Sequence, residues 1–388
     1  MKKIIRGVTT TLFGACVIAG ASLGIAGVAG ASPLPPANAG LGAPFTNHAV
    51  FVQTDNPAGN QIVTYDRAAD GTLSSGATYA TGGNGGISAG SVVDPLASQG
   101  SLALADGGRA MLAVNAGSDT VSVFRVSGDD LALWQIIPSG GEFPTSIAVH
   151  RGIVYVLNAG GAGSLQGYVL VGGILHPLPG SNRSLGLANT NPPNFLQSPG
   201  QVGFSPDGSR VIVTTKQSGS DIDVFSVGFA GLLSLHPVQD PSTTPAPFSF
   251  TFDPAGHLVV TEAGTSALSV YTLNADDTVT ALGSVTDGQA ALCWVTEAGG
   301  FFYGSNAGSA TISSFRVGTS GVPALVGIAA HTEAGTTDSA TDPNGRFLYV
   351  TNGGAGTLDE FHVNADGTLF EIGTVTGLAA PMEGIVAS

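Results

Sequence analysis

The chain has 388 residues, 58 of them glycine, only 10% of them charged, and a formal net charge of −15. A surface this acidic repels phosphate backbones and anionic lipid headgroups, which argues against nucleic acid as a partner. Few charges, many glycines and abundant Val, Thr, Ser, Leu and Ile are typical of an all-β protein with many tight turns.

Residues 1–31 have the pattern of an export signal. A basic start, "MKKIIRG", precedes a Gly/Ala-rich apolar run that ends in the small residues Ala29, Gly30 and Ala31. We therefore predict a signal peptide, and a mature protein that is secreted or held in the cell envelope or periplasm without membrane insertion. The alternative is an uncleaved anchor, because the run is nearly long enough to span a bilayer. A lipoprotein site at Cys16 fits less well, because most of the apolar run follows that cysteine.

Residues 32–45 are rich in Pro, Gly and Ala and are predicted to be a linker. Without residues 1–31 the chain keeps 9 of its 12 Lys and Arg residues against 27 Asp and Glu, and a single cysteine, Cys293. One cysteine excludes an intramolecular disulfide and a Cys-rich metal centre, and we expect a buried structural thiol rather than a nucleophile. The seven histidines are scattered and form no H-x-x-x-H pair. This scatter argues against a metal site. We also expect a monomer without a cofactor.

Residues 46–388 consist of a repeated unit. The stretch "VNAGSDTVSVF" (Val114–Phe124) returns as "SNAGSATISSF" and "TNGGAGTLDEF", each following an apolar strand and a turn such as "SPDGSR" or "DPNGR". Aligned on the end of the second strand, seven copies share one slot, which holds Thr54, Asn115, Asn158, Lys216, Glu262, Asn306 and Asn352. Seven units of four antiparallel strands at this spacing predict a seven-bladed β-propeller.

The two ends of the repeat predict how the ring closes. No first strand precedes Ala49, whereas the C-terminal stretch "APMEGIVAS" aligns with first strands such as "EFPTSIAVH". We expect this last strand to pair into the first blade, which removes an exposed sheet edge.

Two loops are longer than the others. Successive slots are 43 to 46 residues apart, except for 61 residues between Thr54 and Asn115 and 58 between Asn158 and Lys216. The additional residues fall in 80–100 and 181–198. Both loops connect a fourth strand to the next first strand, so they lie on one face. Long loops in a compact domain are often functional, and the alternative is a tolerated insertion.

The starts of the first strands are expected to form a ring around the channel mouth. Its polar members, offered as ligand-binding residues, are Ser101, Ser146, Gln201, Ser249, Asp338 and Glu383. Asp338 and Glu383 come from adjacent blades and could accept a cation or sugar hydroxyls.

The shared slot is charged in blades 4 and 5. It holds Asn or Thr elsewhere, and we expect the Asn side chain to bond the turn backbone, but these two blades have Lys216 and Glu262. They could form a structural ion pair between blades. Alternatively, they belong to a ligand pocket, with Lys216 orienting a carbonyl or anionic oxygen and Glu262 acting as a base. Lys216 is the one lysine after residue 31.

The phrases "FSPDGSRVIVTT", "DPNGRFLYVTNGGAGTLDEF" and "VNAGSDTVSVF" resemble the lactonase family of seven-bladed propellers. That family includes bacterial 6-phosphogluconolactonase and fungal carboxymuconate cyclase. The resemblance implies a functional Glu at the end of a second strand, and Glu262 in "LVVTEAG" matches it. Where the family has His or Arg, this chain has Gly200, Gln201, Phe248 and Ser249.

Two functions follow as hypotheses. In the first, the protein is an exported lactonase-like hydrolase or isomerase, with Glu262 and Lys216 as catalytic residues. Its substrate is a small neutral or weakly anionic lactone at the channel mouth. In the second, it is a non-catalytic propeller that binds a glycan or a protein partner.

Overall fold

The structure is a computed structural model that describes residues 48–388. The predicted signal peptide (1–31) and nearly all of the stretch before the first blade, including the predicted linker (32–45), lie outside the described residues. Within residues 48–388, no helix has the length and apolar character needed to cross a membrane.

Successive strands form antiparallel hairpins, and the first three blades contain strands β1 to β12. Blade 1 begins with β1 (Ala49–Gln53), β2 (Gln61–Arg67) and β3 (Leu73–Ala80). Blade 2 consists of β4 (Leu102–Ala105), β5 (Ala110–Asn115), β6 (Thr120–Ser127) and β7 (Asp130–Pro138). Blade 3 consists of β8 (Pro144–His150), β9 (Ile153–Asn158), β10 (Ser164–Val171), β11 (Ile174–Pro177) and the short β12 (Arg183–Ser184), which pairs with β10.

The remaining blades follow the same order. Blade 4 consists of β13 (Pro199–Phe204), β14 (Arg210–Thr215), β15 (Asp221–Ser226) and β16 (Val238–Pro241). Blade 5 consists of β17 (Pro247–Phe252), β18 (Leu258–Glu262), β19 (Ala267–Leu273) and β20 (Val279–Thr286). Blade 6 consists of β21 (Leu292–Ala298), β22 (Phe301–Asn306), β23 (Thr311–Val317) and β24 (Pro323–His331). Blade 7 consists of β25 (Thr336–Thr341), β26 (Phe347–Asn352), β27 (Thr357–Val363) and β28 (Leu369–Thr376), and the chain ends with β29 (Ile385–Ala387).

Short helical turns interrupt the connections between strands. One α-helix, α1 (Lys216–Gly219), follows β14. Three 3₁₀ turns lie at Asp106–Gly108, Ala116–Ser118 and Phe229–Gly231.

The closing strand β29 pairs antiparallel with β1, so blade 1 has the order β29-β1-β2-β3. Arg67 strengthens this junction, because its Nη2 donates a hydrogen bond of 2.7 Å to the carbonyl oxygen of Ser388. The prediction of an all-β, seven-bladed propeller closed by the C-terminal strand is confirmed.

The core lies between neighbouring blades. Second strands such as β5 and β26 are buried along their whole length, whereas outer strands such as β3 are mostly exposed. A residue on either face of a second strand therefore packs against an adjacent blade, which explains why these strands are nearly continuous apolar runs. Six of the seven blades present four strands in one sheet, and blade 3 presents five.

Candidate functional site

The six predicted ring residues lie at the innermost strands, around the axis. Ser146 Oγ donates to the carbonyl of Gln99 at 2.6 Å, and Ser249 Oγ donates to the carbonyl of Cys293 at 2.7 Å. Gln201 Oε1 accepts the N–H of Phe250 at 2.7 Å. These bonds join blades to one another or to the loop that precedes β4. The other ring residues, which are buried, are Ser101, Asp338 and Glu383.

The end of the 80–100 loop crosses the axis, and we call residues 97–99 the axial segment. Ser98 Oγ donates to Thr145 O at 2.9 Å in blade 3, and the N–H of Gln99 donates to Gly200 O at 3.0 Å in blade 4. The Gln99 side-chain amide exchanges two hydrogen bonds with the backbone of Val295 in blade 6, at 3.1 and 3.2 Å. The axial segment thus connects three blades through the channel, a feature that the repeat pattern does not encode.

A cavity of about 300 Å³ lies beside this segment, over blades 4 to 6. Both long loops line it, together with α1 and the starts of strands in blades 5 and 6. The lining residues that matter below are Val92, Val93, Asp94, Ala97, Phe195, Leu196, Lys216, Phe248, Ala263, Cys293 and Trp294. Lys216 and the loops 80–100 and 181–198 are therefore brought together. The six ring residues and Glu262 do not line this cavity, so their contact with a ligand stays a prediction.

Lys216 is 3% exposed and sits at the start of α1. Its Nζ donates to the carbonyl of Ala97, and it lies 4.9 Å from the centroid of the Phe248 ring. Phe248 in turn packs edge-on against Trp294, with ring centroids 5.0 Å apart. Burial lowers the pKa of Lys216 to about 8, against the opposing attraction of Asp94. Ala97 has φ of 55°, in a region that residues with a Cβ rarely adopt.

Asp94 also lines the cavity, and the sequence analysis did not single it out. Its Oδ1 accepts the N–H groups of Leu96 and Ala97 at 3.0 and 2.7 Å, whereas its Oδ2 is buried and has no hydrogen-bond partner among the described residues. Burial raises the pKa of Asp94 to about 7, and the charge of Lys216 opposes that rise. The two side chains line one cavity but form no ion pair within 4.0 Å in residues 48–388. Asp94 is the one acidic residue of loop 80–100, and this feature of the sequence could have singled it out.

Glu262 is fully buried at the end of β18 in blade 5. Its two carboxyl oxygens accept hydrogen bonds from four hydroxyl groups, which belong to Ser242, Thr244, Ser269 and Tyr271. A carboxylate has about four acceptor sites, so these donors occupy them. The described part of the chain holds no ion pair between Lys216 and Glu262, and that interpretation of the sequence is corrected.

In blades 2 and 6 the asparagine of the shared slot has a different role from the one expected. Asn115 donates through Nδ2 to Ser122 Oγ at 2.8 Å, and Asn306 donates to Ser313 Oγ at 2.9 Å. These partners lie seven residues ahead on the third strand, not on the turn backbone. Ser269 has the same position relative to Glu262 and donates to it at 2.7 Å. Glu262 therefore reverses the direction of a hydrogen bond that the repeat uses elsewhere.

Further carboxyl groups are buried around the axis. Burial raises the pKa of Asp55 and of Asp338 to about 8 each. The pKa of Glu383 is raised well above its usual value, first by burial and then by repulsion from Asp94, Asp338 and Asp55. Among the described residues, neither carboxyl oxygen of Glu383 has a hydrogen-bond partner. No group of three or more His, Cys, Asp or Glu in residues 48–388 is arranged to hold a metal ion.

Cys293 lies at the cavity, 8% exposed. Burial raises the pKa of its thiol to about 12, so the thiolate that a nucleophile requires is not formed near neutral pH.

Comparison with known proteins supports the fold. No protein-family model matches this sequence, and no curated protein does. A candidate 6-phosphogluconolactonase from Bacteroides uniformis is similar, with a TM-score of 0.69 and 18% identity over 87% of this chain and 98% of that chain. The periplasmic gluconolactonase of Pseudomonas aeruginosa has a TM-score of 0.65 and 16% identity over 87% and 98%. The resemblance to lactonase-like seven-bladed propellers is thus confirmed for the architecture.

Proposed function

We propose that the cavity over blades 4 to 6 is an active site that hydrolyses the ring ester of a small lactone. The observation that carries the proposal is the placement of Lys216 and Asp94 on one cavity, with Asp94 Oδ2 unpaired and no ion pair between them. The pKa values of both groups lie near neutrality, at about 8 and about 7. Such values suit proton transfer at physiological pH. The lactonase-like fold supports the same reaction class without establishing it.

The proposed reaction balances without a cofactor. Lys216 has three N–H donors, of which one is bonded to Ala97, and another donates to the carbonyl oxygen of the lactone. Asp94 accepts a proton from water as the water oxygen attacks the carbonyl carbon. The ring C–O bond then breaks, and the proton on Asp94 passes to the leaving alkoxide oxygen. The product is an open-chain hydroxy acid.

Loss of either group is expected to abolish most of the turnover. Asp94→Asn keeps the shape but cannot take the proton, and we expect kcat to fall roughly 10²–10⁴-fold. Lys216→Met keeps the apolar stem but loses the donor, and we expect a fall of about 10²-fold or more. The assay is acid release at constant pH from a panel of sugar, alkyl and muconate-type lactones. No turnover of any lactone by the wild-type protein, with stable capture of a glycan or protein, would favour the binding function instead.

The variant Glu262→Gln tests whether the catalytic base is Asp94, as proposed here, or Glu262, as the repeat slot predicted. The amide faces four hydroxyl donors, so we expect a lower melting temperature but a kcat within about twofold of wild type. Circular dichroism and the same acid-release assay measure both quantities. A variant that melts like the wild type yet has lost turnover would return the catalytic role to Glu262.

We also propose that the protein is exported. The basic, apolar and small-residue pattern of residues 1–31 supports this, and one structural neighbour is a periplasmic protein. We expect mass spectrometry of the protein from the medium or the periplasm to find an N-terminus at Ser32. An intact Met1 in the membrane fraction would instead indicate an uncleaved anchor.

A further inference from the structure

We propose that the cavity selects lactones with an apolar substituent and rejects polyhydroxylated sugar lactones. The inference rests on the proposed function for the lactone ring, and on the cavity itself for the substituent. It differs from what the names of the structural neighbours describe, since those concern gluconolactones.

Few polar groups of the cavity are free to bind hydroxyls. Most lining residues are Ala, Val, Phe, Leu or Trp, and the polar ones are Ser91, Asp94, Lys216, Gln217 and Cys293. Ser91 Oγ already donates to the carbonyl of Asp94, and Lys216 donates to that of Ala97. The Cys293 thiol is at most a weak donor. In the proposed reaction the remaining N–H groups of Lys216 and the unpaired Oδ2 of Asp94 are occupied by the ring ester and the attacking water, which leaves the Gln217 amide for the hydroxyls of a sugar lactone. Most of those hydroxyls would be buried without partners, which is strongly unfavourable.

The walls and the rim are suited to an apolar substituent. Phe248 and Trp294 form an edge-on aromatic pair at the inner wall. At the opening, Val92 is 81% exposed and Leu196 is 41% exposed, and the two come from different loops. Large exposed apolar side chains around a cavity mark a site for an apolar ligand. The ring ester is then held near Lys216 and Asp94, and the substituent extends toward Val92 and Leu196.

The charge of the surroundings argues in the same direction. Asp94 and Glu383 both lie close enough to Lys216 to affect its titration, and burial disfavours the charged form of all three side chains. An anionic group such as a phosphate would meet a single lysine backed by carboxyl groups. A neutral substituent needs no counter-charge in this buried site.

Trp294 gives a direct measurement of binding that does not require turnover. The chain has two tryptophans, and Trp134 lies 47% exposed on β7 of blade 2. In a Trp134→Phe background, Trp294 fluorescence reports the cavity alone. The probes are non-hydrolysable δ-lactams with alkyl chains of increasing length, and the sugar lactam of gluconolactone. We expect affinity for the alkyl series to rise about three- to fourfold per methylene, and no saturable signal from the sugar lactam.

Matched variants in blade 5 localise the effect. Ala263→Leu fills the cavity and should remove most of the chain-length dependence, whereas Ala281→Leu on the exposed strand β20 should leave it unchanged. Sugar-lactam binding equal to or tighter than alkyl-lactam binding overturns the inference, and so does an absence of binding by both. Alkyl-lactam binding without hydrolysis of any lactone supports the selectivity and refutes the proposed reaction.

Discussion

Deletion of residues 384–388 is expected to abolish cooperative unfolding, because it removes β29, the inner strand of blade 1. The deletion exposes Val50 and Val52, which are fully buried, and takes away Ile385 from the cluster between blades 1 and 7. It also leaves the buried Arg67 without its bond to Ser388 O. The guanidinium keeps its contact with Asp342 at 4.0 Å, but a buried charged donor that loses a hydrogen bond is destabilising. Circular dichroism melts and limited proteolysis measure the loss.

A milder change tests the same junction without removing it. Ile385→Ala is expected to lower the free energy of unfolding by about 2–5 kcal/mol, since Ile385 is 5% exposed and packed between blades. Thr78→Ala on the exposed outer strand β3 should change it by less than about 0.5 kcal/mol. A truncated chain with the sharp melt of the intact protein would show that β29 does not hold the ring closed.

The protein is expected to become less stable as the pH rises from about 4 to about 8. The pKa values of Asp55 and Asp338 are raised to about 8 and that of Asp94 to about 7, whereas the same groups titrate near 3.8 in an unfolded chain. The pKa of Glu383 is also raised. The folded state therefore holds more protons than the unfolded state in this window. Their stabilising contribution is complete below about pH 4 and is lost as the pH rises through the folded pKa values.

The titration of Lys216 changes the folding stability in the opposite direction. Its pKa is lowered from 10.5 to about 8, so its contribution to stability is restored as the pH rises from about 8 to 10.5. We thus expect a stability minimum near pH 8, measured as guanidinium midpoints from pH 4 to 10. Glu383→Gln should reduce the slope between pH 4 and 8, and Asp70→Asn, at an exposed turn, should not. Stability that rises between pH 5 and 8 would contradict the burial of protonated carboxyl groups.

The repeat made the fold predictable, because each blade buries the same faces and therefore keeps the same strands and turns. The alignment of "APMEGIVAS" with the first strands was enough to predict the closure by β29. Lys216 could be singled out for a similar reason, as a charge in a slot that holds Asn or Thr in other blades.

The repeat gives no information on side chains whose partners differ from blade to blade. Glu262 is unusual for its slot, but its own blade supplies Ser269 and Tyr271 to bind it, and no pattern in one sequence reveals such compensation. Asp94 lies in an insertion that has no counterpart in other blades, so no alignment could place it beside Lys216. Long-range contacts of loops depend on packing rather than on periodicity.

The axial segment gives the molecule a one-sided architecture. Because residues 97–99 bridge blades 3, 4 and 6 across the channel, the cavity beside them opens toward the face that carries the two long loops. In the proposed reaction the lactone enters and the hydroxy acid leaves through the same opening of the cavity. The product must leave before the next substrate molecule binds, so accumulated product competes with the substrate for the cavity.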